Sequence, residues 1–245
     1  MKKVPFTVQR DSGDVPAVVW LPEQAAERRP LVLIGHGGAM HKEAPFVARL
    51  ASWLADGPGY ATLAIDLPLH GERTPEDEKG LSPLERRNRL GVEAWRERNA
   101  SNTDQAVADW RAAIDAVQEL DSAVHGPVGY AGVSMGTRFG IPLAAAEPRI
   151  TAAVFGLFGI AAGDTESAFA AAARQISIPV LYLLQWDDEL FPREDGLTLF
   201  DLLGTRDKTM HANPGGHLRL PRAEIDGMLE FLRDRLGGRA YPGTS

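Results

Sequence analysis

Gly132-Val133-Ser134-Met135-Gly136 sets one hydroxyl between two glycines. It follows the apolar run Val128-Gly129-Tyr130-Ala131 and precedes an apolar, Ala-rich segment from Phe139 to Ala146. Strand, sharp turn and helix in that order force the central serine into a strained backbone. The flanking glycines let neighbouring chain approach without Cβ clashes. A hydroxyl lifted above the sheet edge in this way is open to attack on a carbonyl carbon. It is a poor nucleophile near neutral pH, so a base must take its proton and an acid must orient that base. The chain has six histidines: His36, His41, His70, His125, His211 and His217. His217 is the best placed, in the loop Pro214-Gly215-Gly216-His217 between the last predicted strand and the final helix. The acid is sought between Ser134 and His217 in the chain. There Asp187, Asp188 and Glu189 stand together at the end of an apolar strand, and periodicity does not choose among them.

A second turn supplies donors rather than acids. His36-Gly37-Gly38 follows the apolar run Leu31-Val32-Leu33-Ile34. Free backbone N–H groups on such a turn, together with the N–H of Met135, suit a developing oxyanion. His36 is expected to hold its loop by hydrogen bonds. Asp66 and His70, at the end of another strand, are read the same way, because no third ligand with recognisable spacing completes a metal site. Met40, Leu69, Phe158, Trp186, Leu190 and Leu218 lie beside these turns in the sequence and are candidates to line a substrate pocket.

The elements that must carry these turns alternate. Strands are expected at Phe6–Arg10, Ala17–Leu21, Leu31–Ile34, Tyr60–Ile65, Val128–Ala131, Thr151–Phe158, Val180–Leu184 and Lys208–His211. Helices are expected at Ala44–Leu54, Thr103–Leu120, after Ser134, and at Phe169–Arg174, Gly196–Leu203 and Arg222–Leu236. In Thr103–Leu120 the apolar residues Val107, Trp110, Ile114, Val117 and Leu120 recur at helical spacing, with Asn102 or Thr103 as the expected cap. Alternation of this kind predicts an α/β fold, a mostly parallel sheet with helices on both faces. Residues 72–101 break the rhythm. They are polar, contain Pro75 and Pro83, and read as a lid-like excursion or a solvated surface loop within one domain spanning 1–245. A short helix is expected within Pro83–Trp95, with Leu84, Leu90, Val92 and Trp95 on its underside.

Bulk properties narrow the function classes. A chain of 245 residues with 44% hydrophobic and 24% charged residues suits a globular α/β domain. A net charge of −7 argues against a nucleic-acid partner and against a polybasic membrane patch. No apolar stretch reaches about 18 residues, and Met1 to Asp14 lacks the apolar core of a signal peptide. A cytoplasmic protein is therefore expected. With no cysteine, disulfides, thiolate metal sites and a cysteine nucleophile are all excluded.

His36-Gly37-Gly38, Asp66-Leu67-Pro68-Leu69-His70-Gly71, Gly132–Gly136, the turn Asp188-Glu189-Leu190-Phe191-Pro192 and Gly216-His217 resemble, in this order, the motifs of the α/β-hydrolase superfamily. The compact form is most similar to the dienelactone-hydrolase-like and small serine carboxylesterase branches. The resemblance implies a three-layer fold with an eight-stranded sheet, a triad of Ser134, His217 and Asp188, and an oxyanion hole from the Gly38 and Met135 amides. Asp188 is chosen because an apolar residue and a proline follow at the family spacing, Phe191-Pro192; Asp187 is the fallback. Dienelactone hydrolases carry cysteine at the elbow, where this chain has Ser134. The resemblance further implies a small-molecule ester as substrate, no cofactor and no metal, and a monomer or homodimer. A peptidase or amidase on the same residues, or a non-catalytic small-molecule receptor, are the alternatives.

Overall fold

Continuous apolar runs become the interior strands of one eight-stranded sheet. The structure is a computed structural model that describes residues 1–217 and 219–237, without the side chains of Pro83, Leu84, Val92, Trp95, Arg96, Asn99 and Ala100. The strands are β1 (Lys2–Val8), β2 (Val15–Leu21), β3 (Leu31–Gly35), β4 (Ala61–Ile65), β5 (Val128–Gly132), β6 (Ile150–Gly156), β7 (Val180–Gln185) and β8 (Lys208–Asn213). They lie in the order β1-β2-β4-β3-β5-β6-β7-β8. Pairings β1–β2 and β2–β4 are antiparallel, and the rest are parallel. β3, β4 and β5 are buried along their whole length, as strands covered on both faces must be.

Side-chain alternation along each strand divides the core into two layers. Leu31 and Leu33 of β3 join one cluster with Trp110, Ile114, Phe139, Ile141 and Leu199. Val32 and Ile34 join the other with Val47, Leu50, Leu54, Met228 and Leu232. Hence α3 (Val92–Leu120), α4 (Met135–Ala146), α5 (Ala168–Gln175) and α6 (Arg193–Leu202) cover one face. The opposite face is covered by α1 (Pro45–Asp56) and α7 (Arg222–Leu236). The expected three-layer α/β architecture with its mostly parallel sheet is present.

Two elements depart from expectation. The first strand, expected at Phe6–Arg10, runs from Lys2 to Val8. The helix expected from Thr103 starts eleven residues earlier, and its N-cap is Gly91 (φ 86°) rather than Asn102 or Thr103. Residues 92–102 contain Glu, Ala and Arg, which continue a helix by propensity without an apolar stripe. Before it, α2 (Pro83–Leu90) begins with a capping box: Ser82 accepts from Glu85 N–H, and Glu85 accepts from Ser82 N–H at 2.7 Å. Residues 72–101 are tied to one another and to the body by charge. Arg98 forks onto Glu78 with two 2.6 Å bonds, Arg73 reaches the buried Asp109 at 2.7 Å, and Arg86 donates to Leu69 O at 3.1 Å. Of the expected apolar underside, Leu90 is 39% exposed; Leu84, Val92 and Trp95 have side chains outside the described set. Among the described residues, no helix is long and apolar enough to cross a membrane.

The sheet order also places the site. The chain passes from β3 to β4 on one side and to β5 on the other, so the strand order reverses at β3. The crevice beyond the carboxyl ends of β3 and β5 is where ligands collect in open α/β sheets. Gly35 and Gly132, the last residues of these strands, are in register.

Candidate active site

Ser134 is the turn residue between β5 and α4, with φ 56° and ψ −122°. A non-glycine residue held there costs of order 1–3 kcal/mol and persists only when its surroundings enforce it. Here they do. Ser134 N–H donates to Gly156 O at 2.8 Å, and Gly156 N–H donates to the Thr137 hydroxyl at 2.8 Å. These bonds staple the elbow to the end of β6. Gly136 is required by close packing, since a Cβ there would sit 2.7 Å from Gly35 O.

His217 and Asp188 arrive from the neighbouring strand ends. His217 Nε2 lies 3.0 Å from Ser134 Oγ, and His217 Nδ1 lies 2.7 Å from Asp188 Oδ2. Both partners are nearly buried, with side chains 4% and 3% exposed. Asp188 Oδ1 is occupied separately, accepting from Leu190 N–H at 2.8 Å and Phe191 N–H at 3.0 Å. One carboxylate oxygen is thus pinned by the backbone and the other faces the imidazole. The arrangement places the ring proton on Nδ1 and leaves Nε2 as acceptor for the serine hydroxyl.

The three adjacent acids have different tasks. Glu189 accepts from His217 N–H at 2.9 Å, and Asp187 accepts from Gly215 N–H at 3.2 Å. Gln185, buried at the end of β7, donates to Gly216 O at 3.1 Å and Arg219 O at 2.9 Å. The histidine loop is therefore strapped to the acid turn at Gly215 and His217 and to the end of β7 at Gly216 and Arg219. The His217 amide also holds the Glu189 carboxyl below the ordinary range. Glu189→Ala is expected to lower kcat on an ester substrate about tenfold with little change in KM, because it loosens the base. Glu189→Gln keeps an acceptor oxygen and should recover most of that loss; steady-state kinetics on the two variants checks it. The roles of Gln185 and Glu189 went unread in the sequence. A lone glutamine closing an otherwise apolar strand was the available signal.

Gly38 and Met135, the expected oxyanion donors, follow the carboxyl ends of β3 and β5. Met135 is the first residue of α4, so its N–H has no acceptor within the helix. Gly38 lies in a turn closed by Met40 N–H to Gly37 O at 3.3 Å, next to Ala39 with φ 56°. His36 anchors this turn: its Nδ1 lies 2.9 Å from Gly37 O, and its Nε2 accepts from Leu67 N–H at 3.2 Å. Both nitrogens are therefore used in the neutral form. Asp66 ties the same two loops, accepting from Lys42 N–H (2.8 Å), Lys42 Nζ (2.9 Å) and Glu72 N–H (3.0 Å). Burial opposes the charge on Asp66, but these donors outweigh it and hold its carboxyl below the usual range. His70 bonds Pro68 O at 2.9 Å, and among the described residues no group of three or more potential ligands is poised for a metal.

Burial lowers the His36 pKa to about 4, from about 6.5 in an unfolded chain. In that interval the unfolded chain takes up the proton and the folded chain does not. The contribution is intact above about pH 6.5 and is lost as pH falls towards 4. The chain should lose roughly 2 kcal/mol of stability through His36 between pH 7 and pH 5. Urea denaturation at the two pH values, compared with His36→Gln, checks this: the variant should lose less on acidification.

Of the six pocket candidates, Phe158 is brought against the site. Its ring lies 4.8 Å from Phe191, whose ring lies 5.7 Å from His217. Trp186, under the Arg193 guanidinium at 4.8 Å, and Leu190 are exposed, at 46% and 63%. Met40 packs against the α1–α7 layer. Leu69 lines a separate hollow with Arg73 and Gln105. Leu218 lies outside the described residues.

The dienelactone hydrolase family model matches residues 15–212, which span β2 to β8 and take in the elbow and the acid turn. The chain belongs to the dienelactone hydrolase family. This family member is also similar to a solved structure, a PEG-bound cold-adapted esterase from an Arctic intertidal metagenomic library. The identity is 37% and the TM-score 0.79, over 96% of this chain and 94% of that one. Two more distant structures share the fold alone. One is the dienelactone hydrolase of Anabaena variabilis, with 20% identity, a TM-score of 0.68, and coverage of 96% and 98%. The other is Est1E of Butyrivibrio proteoclasticus with bound ferulic acid, with 18% identity, a TM-score of 0.69, and coverage of 94% and 98%. No curated protein matches the chain. Family and neighbours together make this dienelactone hydrolase family member a hydrolase of the α/β-hydrolase fold.

Proposed function

We propose that the chain is a serine esterase that cleaves carboxylic esters of small molecules through an acyl-enzyme. One observation carries the reading: Ser134 Oγ, His217 Nε2, His217 Nδ1 and Asp188 Oδ2 form a single line of 3.0 and 2.7 Å contacts, although the residues lie far apart in the chain. Ser134 Oγ attacks the ester carbonyl while its proton passes to His217 Nε2. Asp188 keeps the imidazole oriented and stabilises the imidazolium that forms. The amides of Gly38 and Met135 receive the negative charge on the carbonyl oxygen; such a donor is worth about 3–4 kcal/mol where one has been removed in a serine hydrolase. His217 then gives its proton to the leaving alcohol, and the C–O bond breaks. Water repeats the sequence on the acyl-enzyme, with His217 as base, and releases the acid and free Ser134.

The test is covalent labelling by a fluorophosphonate, paired with turnover of p-nitrophenyl acetate and acetyl p-nitroanilide. Labelling at Ser134 with faster ester than anilide turnover supports the esterase. Faster anilide turnover moves the assignment to an amidase. A folded protein that neither labels nor turns over the ester is no hydrolase of this kind.

A further inference from the structure

A groove of about 1120 Å³ opens between α3, α4 and α5, and nothing in the mechanism above uses it. Its walls are mostly apolar: Val107 and Ala112 from α3, Pro142 and Ala145 from α4, and Phe169 and Ala172 from α5. The alanines are what keep it open, since larger side chains at these half-buried positions would fill it. Charged residues stand around it, among them the exposed Asp104, Arg111 and Asp115. A mostly apolar cleft of this size with few polar groups is the form that binds small molecules.

Two residues of the groove wall, Phe158 and Arg138, link it to the elements that carry the catalytic centre. Phe158 stands two residues beyond Gly156, whose carbonyl accepts Ser134 N–H at 2.8 Å. Its own carbonyl is held by the Tyr182 hydroxyl. Its ring packs between Phe169 in the groove (5.5 Å) and Phe191 (4.8 Å), which adjoins His217. Arg138 N–H donates to Ser134 O at 3.2 Å, one helical turn from the nucleophile. Arg138, Pro142 and Ala145 then continue along one stripe of α4. At 1.5 Å per residue, Ser134 to Ala145 spans roughly 16 Å.

We infer that this groove receives an extended hydrocarbon arm of the ester substrate, with Phe158 at its inner end. The inference rests on the esterase reading and adds the substrate class: esters with a long alkyl or aryl arm, held beside Ser134 by apolar burial. The arm belongs either to the acid or to the alcohol, and two ester series separate these.

The experiment compares p-nitrophenyl acetate, p-nitrophenyl decanoate and decyl acetate on the wild type, Ala145→Phe and Ala112→Phe. Both substitutions fill the groove away from the triad. Each should leave acetate turnover within about twofold and cut kcat/KM for one long ester at least about tenfold, since apolar pockets discriminate on this scale for single methylenes. Loss on the decanoate assigns the arm to the acid; loss on decyl acetate assigns it to the alcohol. Unchanged turnover of both long esters by the folded variants overturns the inference and leaves the esterase reading standing. So does a wild type that cleaves only the acetate. Equal loss on short and long esters by folded variants also overturns it. A protein inactive on every ester removes both readings. A measurement independent of any variant is labelling of the wild type by decyl and ethyl fluorophosphonates. The decyl reagent should react faster, and equal rates count against the groove.

Discussion

Ser134→Ala is expected to lower kcat on p-nitrophenyl acetate by at least about 10⁴-fold and to abolish fluorophosphonate labelling. Its thermal midpoint should stay close to that of the wild type. Among the described residues the hydroxyl bonds His217 Nε2, whereas the elbow is held by the Ser134 backbone and by Thr137. Removing Oγ therefore deletes the nucleophile and leaves its support in place. The strained φ of 56° remains with alanine, so no relief of strain hides a loss of packing. A folded variant that keeps most of its turnover would remove Ser134 from the mechanism.

Asp188→Asn should be nearly as damaging, about 10⁴-fold in kcat, with the fold intact. The reason lies in the two separate uses of the carboxylate. Oδ1 accepts from the amides of Leu190 and Phe191, so an asparagine must keep its oxygen there. Its NH₂ group then faces His217 Nδ1, which has to become an acceptor. The ring proton moves to Nε2, and the serine hydroxyl loses its base. Asp187→Asn is the control. Asp187 contacts the Gly215 amide and not the imidazole, so its kcat should fall no more than several-fold. Steady-state kinetics on the pair, with circular dichroism to verify folding, decides between the two acids. The reverse ranking would reassign the acid to Asp187.

The elements that hold these residues were readable because their physics is local. Leu31–Ile34 and Val180–Leu184 are apolar runs, and the strands β3 and β7 appear within a residue of the expected bounds. The glycines around Ser134 announced an elbow because close packing leaves no room for a Cβ, at Gly136 against Gly35 and at Gly132 against Tyr130. The first half of α3 was not readable. Residues 92–102 have no apolar stripe, and their helix is set by propensity and by the break at Gly91. The strap on the histidine loop was hidden for another reason. Glu189 and His217 are 28 residues apart and meet through a backbone amide, and such a contact leaves no periodic trace. Periodicity likewise left three acids at the end of β7; family spacing picked Asp188, the one whose carboxylate faces the imidazole at 2.7 Å.

Among the described residues, β8 is the last strand of the sheet and pairs with β7 alone. The loop that carries His217 hangs from this outermost strand, while Ser134 stands at the centre. The two halves of the machinery thus rest on ground of unequal firmness, because peripheral segments open at lower free energy than the interior. Mild heat or urea that frays the margin will carry the imidazole away first and silence the enzyme while most of the sheet is still native.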